Sequence, residues 1–135
     1  MYLSKYYNTY LYFMVKQICI RLEADAKQIM DCRSSIAALD NSMSFVAEVL
    51  NLAGNKVRLQ ILFLLQREKR LCVCDLSDIL QMNVSAISQH LRKLKDRELI
   101  YATKEAQTIF YALDTNKLAT LNPILDLLKK ENITI

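Results

Sequence analysis

Glycine and proline are nearly absent from this chain, which has one of each in 135 residues. Tight connections between β-strands use both residue types heavily, so a turn-rich sandwich or barrel is excluded. Apolar residues make up 53% of the sequence and charged residues 24%, which is too hydrophobic for a disordered chain. The length suits a single domain. We therefore expect one mainly α-helical domain.

The N-terminal stretch is the part of the chain that fits this domain least well. It has no continuous apolar centre and no small-residue cleavage site, so it does not match a signal peptide. No uninterrupted apolar run in the chain approaches the length of a membrane span. We expect a cytoplasmic protein with no membrane partner, in which residues 1–15 form a flexible extension and residues 16–135 form the folded domain.

Positive charge is concentrated in the middle of the chain. Residues 56–104 carry ten Lys and Arg against five Asp and Glu, a net charge of +5. Residues 1–55 are neutral overall, and residues 105–135 carry a net charge of −1. A basic segment between near-neutral flanks suits a surface that binds phosphates. This distribution favours a nucleic acid as partner.

Apolar side chains recur every three or four residues in much of the chain, which predicts amphipathic helices. The predicted helices cover residues 16–30, 45–53 and 56–67, and the segment from Leu118 to Leu128. Asp, Asn and Ser at 40–42 predict a break, and Gly54-Asn55 predicts a helix end. Pro123 is expected to kink or restart the last helix.

Two further helices are short and close together. Asp75 is expected to cap one that ends near Leu80, and Ser85 to cap another that ends near Arg97. The few residues between them leave room only for a tight turn, with Asn83 in a left-handed conformation. β-Branched and aromatic residues at 99–103 and 108–113 predict a hairpin with the polar link 104–107. Together these elements predict a winged helix-turn-helix, a mainly α fold with a small β-hairpin.

The second short helix has a polar face opposite its apolar stripe. Ile87, Leu91 and Leu94 cluster on one side and are expected to face the core. The other side carries residue types that contact phosphates and base edges in a major groove. These candidate DNA-binding residues are Ser85, Ser88, Gln89 and Arg92, with Lys93 and Lys95 at the edges. We expect double-stranded operator DNA as partner, because the B-form major groove admits a helix.

Several segments of the chain resemble the ArsR/SmtB family. They are L-C-V-C-D-L at 71–76, S-A-I-S-Q-H-L-R-K-L at 85–94 and the hairpin end I-F-Y-A-L at 109–113, with 52–62 also similar. The resemblance implies a homodimeric winged-helix repressor that leaves DNA on binding metal ions. It also implies that the helix from Ser85 is the recognition helix and that Cys72 and Cys74 are metal ligands. The chain departs from the family in its acidic wing tip without Gly, in a C-terminal helix without His, and in a helix-turn-helix turn without Gly.

The four cysteines, two of them spaced C-x-C, fit thiolates kept reduced for a metal or for redox chemistry better than a disulfide framework. Thiolates select soft ions such as As(III), Cd(II), Pb(II), Hg(II) or Zn(II). The side chains of Cys72 and Cys74 point to the same side only if the backbone between them is extended or distorted. Two thiolates do not complete a site. We expect Cys32 or Cys19 to supply at least one more, from the other subunit.

Other interpretations stay open beside the metal sensor. The same fold could carry a thiol-redox sensor in which Cys72 or Cys74 pairs with Cys32 or Cys19, or it could be a protein-interaction module. The single histidine, His90, leaves no catalytic arrangement above chance, so no enzyme is expected. We expect His90 to be a hydrogen-bonded structural residue or a phosphate contact rather than a metal ligand.

The dimer interface is expected to come from the two ends of the folded domain. The first helix and the apolar stripe of the C-terminal helix are assigned to it, because a core this small does not need either of them.

Overall fold

The computed structural model of the chain describes residues 20–129. Its elements are α1 (Ala26–Ala53), α2 (Lys56–Glu68), β1 (Arg70–Cys72), α3 (Val73–Leu80), α4 (Val84–Asp96), β2 (Ile100–Glu105), β3 (Thr108–Leu113) and α5 (Leu118–Lys129). The chain divides into two compact units between Asp40 and Asn41, so α1 begins in the first unit and ends in the second. The predicted extension 1–15, the start of the first predicted helix and Cys19 lie outside the described residues.

Helix α1 differs from the prediction in its first residue and in the break expected within it. It begins at Ala26 rather than residue 16, and Asp25 caps it by accepting the Gln28 amide at 2.9 Å. The predicted break at residues 40–42 is wrong, because α1 continues through them without interruption. Asp, Asn and Ser inside a helix each lower its stability by well under about 1 kcal/mol relative to Ala. Residues 40–42 include neither Gly nor Pro, which would end the helix.

The turn between α1 and α2 follows the prediction. The Gly54 amide donates to the Leu50 carbonyl at 2.8 Å, which closes α1. Asn55 then caps α2, since its side-chain oxygen accepts the Arg58 amide at 3.1 Å. Helix α2 begins at Lys56, as expected from its spacing, and three of its residues are buried: Ile61, Leu62 and Leu65.

The sheet is antiparallel with the strand order β1-β3-β2. The predicted hairpin is present as β2 and β3, but its link is shorter than expected, because Lys104 and Glu105 belong to β2. Ala106 makes the turn with a φ of 54°. Strand β1 was not predicted, because three residues are too few to show an alternating pattern.

Helix α5 completes the core instead of standing free of it. Leu121 and Leu125 are 1% and 0% exposed within the subunit, so the expectation that this helix is not needed for the core is wrong. The helix also runs through Pro123 without restarting. Its outer side still exposes Leu127 and Leu128. Among the described residues, no helix is both long enough and apolar enough to cross a membrane.

Candidate nucleic-acid interface and thiol site

Helices α3 and α4 form the helix-turn-helix through a short connection. Gln81 ends α3 in a left-handed conformation, with φ 54° and ψ 44°, and its amide donates to the Ser77 carbonyl. The Ser77 hydroxyl donates to the Met82 carbonyl at 2.5 Å. Asn83 then caps α4, because its side-chain oxygen accepts the Ala86 amide at 2.7 Å. These contacts fix the position of α4 relative to α3.

The predicted caps of both helices were misplaced along the sequence. Asn83 has extended dihedrals (φ −69°, ψ 152°), so it is the cap of α4 and not the left-handed residue, while Ser85 lies inside the first turn. In α3 the cap is Cys72, and Asp75 is the third helical residue. Asn, Ser and Asp all favour caps, so composition alone does not say which of two neighbours takes that place.

Helix α4 separates its apolar and polar sides as the sequence analysis expected. Ile87, Leu91 and Leu94 are buried against the core. Each of the candidate DNA-binding residues is exposed: Ser85, Ser88, Gln89, Arg92, Lys93 and Lys95. The arrangement leaves a polar, basic helix face free for a ligand. Contact with DNA by these six residues stays a prediction.

The basic charge of residues 56–104 is not all available to a ligand. Four arginine side chains bind other groups of the same chain. Arg58 donates a hydrogen bond to the Leu52 carbonyl at 2.6 Å. The other three form ion pairs: Arg67 with Glu68, Arg70 with Glu105 and Arg97 with Glu48. In contrast, Arg92, Lys93 and Lys95 form no ion pair with any described residue. Helix α4 therefore contributes three unpaired cations next to the polar groups of its exposed face, and Lys56, Lys69 and Lys104 lie elsewhere on the segment, also outside the ion pairs of the described residues.

His90 lies at the edge of this helix, between the core and the exposed face. Its Nδ1 atom is buried without a hydrogen-bond partner, so the expectation of a hydrogen-bonded structural histidine is wrong for this atom. Burial lowers the pKa of His90, and the nearby positive charges of Arg58 and Lys93 lower it further. These effects favour the neutral imidazole beside the cationic surface.

The C-x-C pair lies where β1 passes into α3. Cys72 is partly buried and extended (φ −88°, ψ 169°), whereas Cys74 is exposed and already helical. The Asp75 amide donates to the Cys72 sulfur at 3.5 Å, and the Asp75 carboxylate accepts the Cys72 amide at 3.1 Å. Hydrogen bonding by the Cys72 thiol, and then by its amide, lowers the pKa of Asp75. One of the two thiols is therefore the cap of the first helix of the DNA-binding unit.

Of the other predicted metal ligands, Cys32 lies within the described residues and Cys19 does not. Cys32 is exposed on α1, and its thiol is free, as are those of Cys72 and Cys74. Among residues 20–129, no three His, Cys, Asp or Glu side chains come together as a metal site. The prediction that Cys72, Cys74 and Cys32 or Cys19 share one ion is neither met nor excluded by a single subunit.

Arg70, two residues before Cys72, makes contacts that the sequence did not predict. The Arg70 guanidinium lies over the Phe110 ring, 4.1 Å from its centroid, and donates to Glu105 at 2.6 Å. This hydrogen bond and the opposite charge raise the pKa of Arg70, and the bond lowers that of Glu105. The acidic wing tip noted in the sequence thus has a basic partner. The unpredicted strand β1 positions that partner, so no local sequence pattern could have revealed the contact.

Comparisons with known proteins agree with this architecture. Residues 55–102 match the family model of the bacterial regulatory protein, arsR family. The cadmium resistance transcriptional regulatory protein CadC homolog of Staphylococcus aureus is 35% identical over 51% of this chain, which spans 57% of that relative's length. The transcriptional activator HlyU of Vibrio cholerae is 33% identical over 67% of this chain and 83% of its own length.

A solved structure extends the likeness beyond the residues that the family model matches. A homodimeric winged helix-turn-helix DNA-binding domain from Mycobacterium bovis, a possible ArsR-family regulator, superposes with a TM-score of 0.58 at 25% identity. The match covers 85% of this chain and 94% of that one. The relatives are named as transcriptional regulators, a non-enzymatic class. The present chain is a winged helix-turn-helix transcriptional regulator and belongs to the ArsR family.

Proposed function

We propose that this regulator is a repressor that releases its operator when a thiophilic metal ion binds Cys72 and Cys74. The observation that carries the proposal is the place of Cys72, which caps the first helix of the helix-turn-helix. Ligation replaces the Cys72 thiol proton with a metal ion, and the ion restrains the direction of the sulfur that accepts the Asp75 amide. Metal binding would therefore act directly on the start of α3, which packs against the DNA-reading helix.

The donor set suits a soft ion. Two thiols lie two residues apart, one exposed and one partly buried, and soft thiolate ligands favour As(III), Cd(II), Pb(II), Hg(II) and Zn(II) over hard cations. Because residues 20–129 contain no cluster of three such ligands, Cys32 or Cys19 of a second subunit completes the site in this proposal. The resistance regulator from Staphylococcus aureus carries cadmium in its name, which supports the choice of Cd(II) as probe.

A second copy of the chain is the partner that fits helix α1. Apolar residues in α1 alternate at intervals of three and four, the repeat by which two helices pack along each other. Its members are Ile29, Cys32, Ile36, Leu39, Met43, Val46, Leu50 and Ala53. Most of these side chains are exposed in the single chain, and the Mycobacterium bovis relative is homodimeric. Cys32 belongs to this repeat, so dimerisation would bring it towards the partner.

The deciding experiment measures DNA binding with and without metal. The probe is a fluorescent duplex that the reduced, metal-free protein selects from a random library. Cd(II) is expected to produce thiolate-to-metal ultraviolet absorption and to weaken DNA binding by about 5–150-fold, the usual range for coupled sites. Mg(II), which prefers oxygen ligands, is the control and should do neither.

Cysteine variants then separate sensing from folding. Cys72→Ser and Cys74→Ser should bind the same duplex in the absence of metal and ignore Cd(II). If they instead lose metal-free DNA binding, the cysteines are structural and the proposal is wrong. A wild-type protein that binds one equivalent of Cd(II) and keeps its DNA affinity would contradict it as well.

A thiol-redox sensor is the second candidate, favoured by the exposure of the free Cys74 and Cys32 thiols. In that case a mild thiol oxidant, without any metal, should release the duplex, and dithiothreitol should restore binding.

The remaining alternative, a protein-interaction module, is tested by the dependence of the DNA affinity on salt concentration. If the protein contacts DNA phosphates, its affinity for the duplex must fall between low and moderate salt. A protein-interaction module would show no such fall.

A further inference from the structure

The three-stranded sheet contains a bridge between two side chains, the ion pair of Arg70 and Glu105, which has no role in the proposed function so far. Strands β1 and β2 are not neighbours, because β3 lies between them. Arg70, on β1, reaches over Phe110 of β3 and pairs with Glu105, at the end of β2. Among the hydrogen bonds and ion pairs of the described residues, this is the one that joins β1 to β2.

The same strand carries the thiol that caps α3. Arg70 and Cys72 are two residues apart in β1, so their side chains lie on one face of the sheet. Cys72 stands directly opposite Phe110 in the β1–β3 register, and Phe110 stands opposite Thr103 in the β2–β3 register. Glu105 lies two residues beyond Thr103, on the same face. The thiol, the aromatic ring and the ion pair are thus neighbours on one surface.

We propose that Arg70 is a positioning residue that links the state of Cys72 to the position of the wing. This inference rests on the proposed metal response. In the metal-free protein, Arg70 holds the end of β2 against β3 and β1, and so holds the wing beside the helix-turn-helix. When Cys72 turns from its cap towards a metal ion, the end of β1 shifts, and Arg70 carries that shift across β3 to Glu105.

The charges around the wing tip relate this bridge to the affinity for DNA. Glu105 is exposed and acidic, and a carboxylate repels a phosphate backbone unless a cation accompanies it. With Arg70 in place, the tip carries a paired carboxylate. Without it, the wing presents an unpaired negative charge towards the ligand. Release of the pair therefore lowers DNA affinity in the same direction as the proposed metal effect.

The test compares DNA affinity with and without Cd(II) in variants of the bridge. Arg70→Gln and Glu105→Gln are expected to bind Cd(II) with unchanged thiolate absorption. Their ratio of metal-loaded to metal-free dissociation constants should fall from the wild-type range of about 5–150 to about 2 or less. The charge-reversed double variant, Arg70→Glu with Glu105→Arg, should recover most of the ratio, because it rebuilds the ion pair with the charges exchanged.

Arg67→Gln is the matched control, since it also removes an arginine from an exposed ion pair, three residues away and off the sheet. Its ratio should equal that of the wild type. As an independent readout, amide hydrogen exchange in residues 100–113 should speed up on adding Cd(II) to the wild type. In metal-free Arg70→Gln it should already be fast.

Two results would overturn the inference, and they are distinguishable. A bridge variant that keeps the wild-type ratio, or loses metal-free and metal-loaded affinity in parallel, shows that Arg70 does not transmit the metal signal. A wild-type ratio of about one, by contrast, removes the proposed metal response itself and this inference with it.

Discussion

The cap of helix α4 gives a sharp prediction, because the sequence and the structure place it on different residues. Asn83 supplies two acceptors to the first turn of α4. Its side-chain oxygen accepts the Ala86 amide at 2.7 Å, and its carbonyl accepts the Ile87 amide at 3.2 Å. Alanine at position 83 removes only the first. One first-turn amide then loses its protein partner.

The expected cost of Asn83→Ala is about 1 kcal/mol, within the usual range of roughly 0.5–2 kcal/mol for a lost cap. This is about a fivefold change in the unfolding equilibrium and a fall of roughly 4 °C in the melting temperature. Asn83→Ser keeps an acceptor and should stay close to the wild type. Ser85→Ala, at the cap position expected from the sequence, should change stability by less than about 0.5 kcal/mol.

Urea denaturation followed by circular dichroism measures these differences, at one fixed protein concentration because a dimer's stability depends on it. The slope against urea should be the same for all variants. Fraying of the first turn should also weaken DNA binding by Asn83→Ala, by up to about fivefold. If Ser85→Ala is the more damaging of the two alanine variants, the assignment of the cap to Asn83 is wrong.

Further predictions concern pH and the core. Because burial and the charges of Arg58 and Lys93 lower the pKa of His90, the folded protein binds this proton less readily than the unfolded chain. The free energy of unfolding of the wild type, relative to that of His90→Gln, should thus be constant above the ordinary pKa of 6.5. It should fall as the pH drops through the lower pKa that His90 has in the folded protein, as measured by urea titration. A difference that does not depend on pH would contradict this. Leu125→Ala should cost about 2–5 kcal/mol by thermal or urea unfolding, because Leu125 is fully buried. The exposed Leu128 is the control, and Leu128→Ala should be nearly neutral within one subunit; equal losses would mean that α5 does not pack as described.

Periodicity predicted α2 to α5 and the hairpin well because each depends on local spacing, whereas it misplaced the start of α1 and divided that helix in two. The apolar stripe of α4, with Ile87 and Leu91, and the β-branched run of β3 carry their own signal. The exposure of the polar face of α4 followed from the same geometry, since residues opposite a buried stripe are exposed, and its contact with DNA stays a prediction. Family membership was predicted from the motifs around Cys72 and Cys74 and is confirmed by the comparisons.

The features that escaped prediction depend on contacts between distant residues or on a choice between similar neighbours. Arg70 and Glu105 are 35 residues apart and meet only because β1 joins the sheet beside β3. The capping role of Cys72 was missed because Asp75 has the higher intrinsic preference for that place. The break expected at residues 40–42 failed because cap preference is weak evidence when no Gly or Pro ends the helix.

The apolar residues exposed along α1 have a consequence for genetics. If α1 joins two copies as proposed, subunits made in one cell will mix at random. A mutant with an intact α1 but a damaged α4 would then enter dimers with normal subunits and leave each of them able to read only half of a symmetric operator. Such an allele should be dominant over the normal one, whereas an allele that damages α1 should be recessive.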